Sequence, residues 1–126
     1  MTSQLNVDTI ADKAGRGPVG LTKQHAAKVW VNYNSSTTIR DSFGISNLVD
    51  DGTGDYTANF SVTFANDDFA VSTGGANGSA SATAYCLSTF DYSTTSIEMQ
   101  TFSVGASSVA RNDRAVNNLS VHGDLA

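Results

Sequence analysis

The sequence predicts an all-β protein, an antiparallel β-sandwich of jelly-roll-like type preceded by an extended N-terminal arm. Three observations carry that prediction. Serine and threonine supply 30 of the 126 residues, against a single glutamate, whereas helical proteins are built on Glu, Lys and Leu. Tyr56, Ala58, Phe60, Val62 and Phe64 alternate with Thr57, Asn59, Ser61 and Thr63, the period of a strand with one dry face and one wet face. Short β-branched and aromatic runs are parted throughout by Gly, Asp and Asn, the residues that fit tight turns. At 13.1 kDa and 40% hydrophobic residues the chain has material for one core.

Taken in order, residues 1–27 read as the arm. Residues 8–15 have weak helical character, and Gly15-Arg16-Gly17-Pro18-Val19-Gly20 breaks any helix with the only proline of the chain. Leu5, Val7 and Ile10 are apolar without a period. The sandwich domain is expected over residues 28–126. Val29-Trp30-Val31-Asn32-Tyr33 opens it, followed by strands near residues 38–42 and 45–49 and a turn at Asp50-Asp51-Gly52-Thr53-Gly54-Asp55. The alternating strand runs from Tyr56 to Phe64. A turn at Asn66-Asp67-Asp68 precedes a short strand at 69–72, and residues 74–79 read as a glycine-rich loop. Strands at 81–87 and 96–104 are parted by Asp91-Tyr92-Ser93-Thr94, and residues 114–122 supply the last strand. The aromatics Trp30, Tyr33, Phe60, Phe64 and Phe102 fall in these strand patterns and are expected in the core, and Cys86 with them.

The net charge of −5 is unevenly spread. Residues 1–40 carry five Lys or Arg against two Asp, whereas residues 41–110 carry seven Asp, one Glu and no cation at all. An acidic body repels phosphate, so nucleic acid is not an expected partner. No apolar run approaches the ~18 residues of a membrane span, and the first residues lack the basic and apolar regions of a secretory signal. A lone cysteine forms no internal disulfide, which suits a chain folded in a cytoplasm.

Motifs for chemistry are sparse. Gly44-Ile45-Ser46-Asn47-Leu48 has leucine where a nucleophile elbow needs glycine. Cys86 and His122 form a conceivable nucleophile–base pair, and the turn aspartates Asp50, Asp51, Asp55, Asp67 and Asp68 are hard donors that could serve calcium, although their spacing is not that of an EF-hand. No catalytic residue, metal site or cofactor is expected. The loops at Asp67 and Asp68, at Asn77 and at Tyr92 are the candidate receptor-facing elements.

Leu5-Asn6-Val7-Asp8-Thr9-Ile10-Ala11-Asp12-Lys13-Ala14-Gly15-Arg16-Gly17-Pro18-Val19-Gly20 and the Trp30 strand resemble the opening of small structural and fibre-like proteins of tailed bacteriophages, especially phages of aquatic bacteria. Residues 39–46, Asp51-Gly52-Thr53-Gly54-Asp55-Tyr56-Thr57 and the closing Leu119-Ser120-Val121-His122-Gly123-Asp124 continue the resemblance. It implies a non-enzymatic virion protein with a sandwich body, usually a homotrimer, assembled in the bacterial cytoplasm and placed on the head or in a small fibre or spike. Other virion proteins are its implied partners, and a host cell-surface glycan is the partner if the module serves attachment. On this expectation Leu5, Val7 and Ile10 anchor the arm on a neighbouring copy while Lys13, Arg16 and Lys23 meet the acidic body.

Overall fold

A computed structural model describes residues 26–76, 84–105 and 108–126. Leu5, Val7, Ile10, Lys13, Arg16, Lys23 and Asn77 lie outside them. Nine strands run through the described residues: β1 (Val29–Tyr33), β2 (Ile39–Phe43), β3 (Ile45–Gly52), β4 (Asp55–Phe60), β5 (Ala70–Ala76), β6 (Ala84–Ser93), β7 (Ser96–Val104), β8 (Val109–Arg111) and β9 (Val116–His122). They form the expected antiparallel sandwich. One sheet has the order β2-β1-β9-β5, and the other β3-β4-β7-β6, with β8 pairing the second half of β7.

Alternation decides which side chains meet between the sheets. Val29, Val31 and Tyr33 of β1 and Leu119 and Val121 of β9 face inward from the first sheet. Tyr56, Ala58, Phe60, Leu87, Ile97 and Met99 face them from the second. Fully burying each of the larger side chains contributes about 1.5–3 kcal/mol. Tyr33 and Tyr56 meet edge to face across the two sheets with centroids 5.4 Å apart. The Tyr33 hydroxyl donates to the Met99 sulfur at 3.8 Å.

The same alternation corrects three expectations. Trp30 stands between Val29 and Val31, which occupy the inward positions, so it is half-buried on the outer face. Phe102 is half-buried likewise, beyond the inward Thr101. Cys86 is exposed because its neighbour Leu87 takes the inward position, and a one-residue step along a strand reverses the face.

The strand expected to reach Phe64 ends at Phe60. There the backbone leaves the ladder: the Phe60 and Phe64 amides donate to the Thr95 and Thr94 carbonyls, and Ser61 N–H donates to Gly44. The detour seats Phe64 and Phe69 as a plug over one end of the core, with Phe60–Phe64, Phe60–Phe69 and Phe64–Phe69 centroids 5.5, 6.0 and 4.8 Å apart. The loop expected at 74–79 does not begin at Gly74, since Gly74, Gly75 and Ala76 continue β5 against β9.

The opposite end is closed by polar contacts. Asp113 Oδ1 accepts from the Gly54 amide at 2.7 Å and from the Tyr56 hydroxyl at 2.9 Å. Arg111 pairs with Asp55 at 3.0 Å. Gly54 has φ +66 and sits so near the Asn112 and Thr101 backbones that a Cβ would lie 2.8 Å from each. Only glycine fits that position. Arg114 is buried against the Tyr85 ring, its guanidinium carbon 4.0 Å from the centroid.

Candidate functional site

A groove of about 400 Å³ opens at the phenylalanine-plugged end, lined by Asn66, Asp68, Ala70, His122, Gly123 and Asp124. Each wall has a local cause. The Asn66 side-chain oxygen accepts from the Asp68 amide at 3.0 Å, a turn in which asparagine imitates the backbone. Ala70 begins β5 and is paired with His122, the last residue of β9. The chain after β9 is then sewn to the 61–69 segment: Ala65 N–H donates to Asp124 O and Ala126 N–H to Thr63 O, both at 2.9 Å, around a Phe64–Leu125 bridge. Gly123 allows that approach, because a Cβ there would lie 2.8 Å from the Phe69 Cβ. The result sets Asp124 across the groove from Asn66 and Asp68.

Tyr92 stands beside this end. Asp91, at φ +43, marks a bulge between Phe90 and Tyr92 that places Tyr92 opposite Ile97. The Tyr92 ring tilts on Phe69 with centroids 5.4 Å apart, its hydroxyl lies 2.7 Å from that of Thr89, and 40% of the residue remains exposed. The structure therefore gathers Asp67, Asp68 and Tyr92 at one end. Asn77 is not described, but Ala76, the residue before it, ends β5 at the other end, about 20 Å from Ala70 by strand rise.

Register extends the groove onto the outer face of the first sheet. His122 Nε2 lies 3.2 Å from the Ser120 hydroxyl, Ser120 is paired with Trp30, and Trp30 is paired with Phe43. Phe43 is 58% exposed. Ser72 and Gly74 of β5 lie on the same face, as does the Asn32–Asn118 side-chain pair. Arg40 donates to Asn32 Oδ1 and to the Ala115 carbonyl.

A second charged feature lies on the outer face of the other sheet. Glu98 is there with Asp51, Asp55 and Asp91 around it. Partial burial, and then the charges of Asp91, Asp51 and Asp55, raise the Glu98 carboxyl above its ordinary range. Thr57 Oγ1 donates to Asp51 at 2.6 Å.

Cys86 and His122 lie on the outer faces of different sheets, so the conceivable nucleophile–base pair is not assembled. Among the described residues no group of three or more His, Cys, Asp or Glu is placed to hold a metal ion. No helix among them is long and apolar enough to cross a membrane. Sequence reasoning named His122 only as a partner for Cys86, and it missed Asp124 and the outward Trp30–Phe43 pair. The signal for His122 was available, since Leu119 and Val121 as inward residues leave Ser120 and His122 outward. Asp124 carries no such signal, because only the tertiary seam to Ala65 brings it to the groove. No protein-family profile, curated protein or solved structure matches the chain.

Proposed function

We propose that the chain is a non-enzymatic structural protein of a bacteriophage virion, homotrimeric, decorating the head or forming part of a small fibre or spike. The family resemblance of the arm and the Trp30 strand suggests the class. The observation that carries the assembly mechanism is the carboxylate-rich outer face of the β3-β4-β7-β6 sheet, where Glu98 lies with Asp91, Asp51 and Asp55 around it and is raised by partial burial first and then by their charges. Residues 1–40 bear the opposite charge, with Lys13, Arg16 and Lys23 in the arm. A basic segment laid along that face relieves the repulsion. Surface ion pairs contribute little each, so Leu5, Val7 and Ile10 supply the anchoring.

Deleting residues 1–25 and measuring mass by light scattering tests the mechanism. Arm exchange predicts a trimer that falls to monomer, and an unchanged mass overturns it. Arm docking onto another virion protein predicts the unchanged mass together with lost incorporation into particles.

The groove favours a second reading, attachment to the host surface. It joins hydrogen-bonding side chains to outward aromatics on one face, and a purely structural subunit has no need of that combination there. Adsorption of the purified protein to bacterial cells tests this reading.

A further inference from the structure

We infer that the outer face of the β2-β1-β9-β5 sheet, from the Asp68–Asp124 groove to Trp30 and Phe43, binds a neutral oligosaccharide; this rests on the attachment reading and names its ligand. The chemistry of the lining selects the class. Asp68 and Asp124 are acceptors that take paired hydroxyl donors, and Asn66 offers both a donor and an acceptor. A sugar ring presents such hydroxyls around its rim. Among the described residues no Lys or Arg lines the groove, and the Arg40 guanidinium beyond Trp30 is held by Asn32 Oδ1 and the Ala115 carbonyl, so a sialylated, sulfated or phosphorylated glycan seated in the groove meets two carboxylates. Charge thus separates neutral from anionic sugars.

The continuation of the groove supplies the other half of sugar recognition, a flat apolar surface for the C–H face of a ring. Trp30 and Phe43 are cross-strand partners on the outer face. The core does not require them, because Val29 and Val31 already fill the inward positions of β1. The residues between the aromatics and the groove are short: Ser120 and Ser72 are paired, and Gly74 and Ala70 flank them on β5. Among the described residues of β5 and β9 nothing bulky rises between the two regions. From His122 to Trp30 the path is two residues along β9 and one strand across, about 8 Å by strand geometry. From β5 to β2 it is three strand spacings, about 14 Å. One ring seated in the groove therefore leaves its neighbour in the chain over Trp30.

Trp30 is the only tryptophan of the chain, so its fluorescence reports this face alone. The full-length protein is titrated with neutral hexose and N-acetylhexosamine oligosaccharides, and with a sialylated and a sulfated oligosaccharide as contrasts. Calorimetry runs in parallel on the wild type and on the Asp68→Asn, Phe43→Ala, Trp30→Ala and Glu98→Gln variants, each confirmed folded by circular dichroism. The expected result is a saturable shift with a neutral oligosaccharide and a weaker one with its monosaccharide. Asp68→Asn and Phe43→Ala are each expected to weaken binding about tenfold or more, and Glu98→Gln, on the other sheet, to leave it unchanged. Three results overturn the inference: no neutral oligosaccharide producing a signal, anionic ones binding as well as neutral ones, or a signal that needs calcium and is lost to a chelator. Cell adsorption separates this failure from that of the underlying reading. If wild type and variants adsorb to bacterial cells equally, attachment stands and this site falls. If none adsorbs, both fall.

Discussion

Asp113 ties the β8–β9 connection to the start of β4, and replacing it is expected to destabilise the fold by about 3 kcal/mol. Its Oδ1 receives two donors, the Gly54 amide and the Tyr56 hydroxyl, and Gly54 and Tyr56 are both buried. A hydrogen bond to a charged group contributes about 1.5–3 kcal/mol. Asp113 itself is exposed, so water reaches its side of the site and the lower bound applies to each bond. Asp113→Ala then costs about 3 kcal/mol, a fall of about 10 °C in Tm for a chain of this size. Asp113→Asn keeps a neutral acceptor and is expected to cost about half as much. Urea denaturation measures both, with the slope checked for constancy. The decisive control is Tyr56→Phe, which removes one donor at a cost of about 1.5 kcal/mol in the wild type and close to nothing in the Asp113→Ala background. An Asp113→Ala variant within about 0.5 kcal/mol of wild type, or a Tyr56→Phe cost equal in both backgrounds, refutes the reasoning.

Three other perturbations have defined outcomes. Gly54→Ala and Gly123→Ala are each expected to lose about 2–4 kcal/mol in the same denaturation assay, the first from left-handed φ and backbone overlap, the second from overlap with Phe69 and the Phe64 ring. Burial first, and then the negative charge of Tyr56 for Tyr33 and of Asp113 for Tyr56, raise the Tyr33 and Tyr56 phenols above their ordinary value. The unfolded chain ionises first, so stability is full below pH ~10 and falls as pH rises from there. Phenolate absorbance and unfolding are expected to coincide for these two residues, and the Tyr33→Phe/Tyr56→Phe variant to flatten the alkaline limb. The raised Glu98 carboxyl has the same sign, with its stabilising contribution present at low pH and lost as pH rises through the carboxylate range. Glu98→Gln is therefore expected to be more stable than wild type at neutral pH and low salt. The difference should shrink in high salt and disappear in acid.

Elements set by local chemistry were legible in the sequence. The alternation in Asp55–Phe60 identifies β4 and its inward residues, the β-branched and aromatic run Val29–Tyr33 identifies β1 without its faces, and the Asp-Gly-Thr-Gly-Asp run identifies the turn between β3 and β4. What sequence could not supply was the face assigned to residues whose neighbours are also apolar. Trp30, Cys86 and Phe102 are each apolar enough for a core, and only the register against β9, β6 and β7 turns them outward. The end of β4 was hidden for a similar reason, since Phe64 is buried whether the chain continues as strand or loops over as a plug. For the groove, the Asn66–Asp68 turn was readable as loop chemistry, whereas Tyr92, expected in a loop, lies at a bulge within β6. The turn's partners His122 and Asp124 come from about 55 residues further along, through pairing of β5 with β9.

The place of β9 in its sheet bears on how the molecule forms. Residues 45–104 can assemble the β3-β4-β7-β6 sheet from near neighbours in the chain, through the β3–β4 and β6–β7 hairpins and one longer closure. The other sheet has no such sequence of events. β9 lies between β1 and β5, and its pairing joins Val29 to Val121. Until residues 116–122 have left the ribosome, β5 has no strand to pair with in its own sheet, and β1 has only β2. The face bearing Trp30, Ser120 and His122 is thus the last part of the sandwich to exist. A nascent chain leaves β1, with Val29, Val31 and Tyr33, on an unfinished edge for most of its synthesis, so neighbouring nascent copies can meet before each sheet is closed.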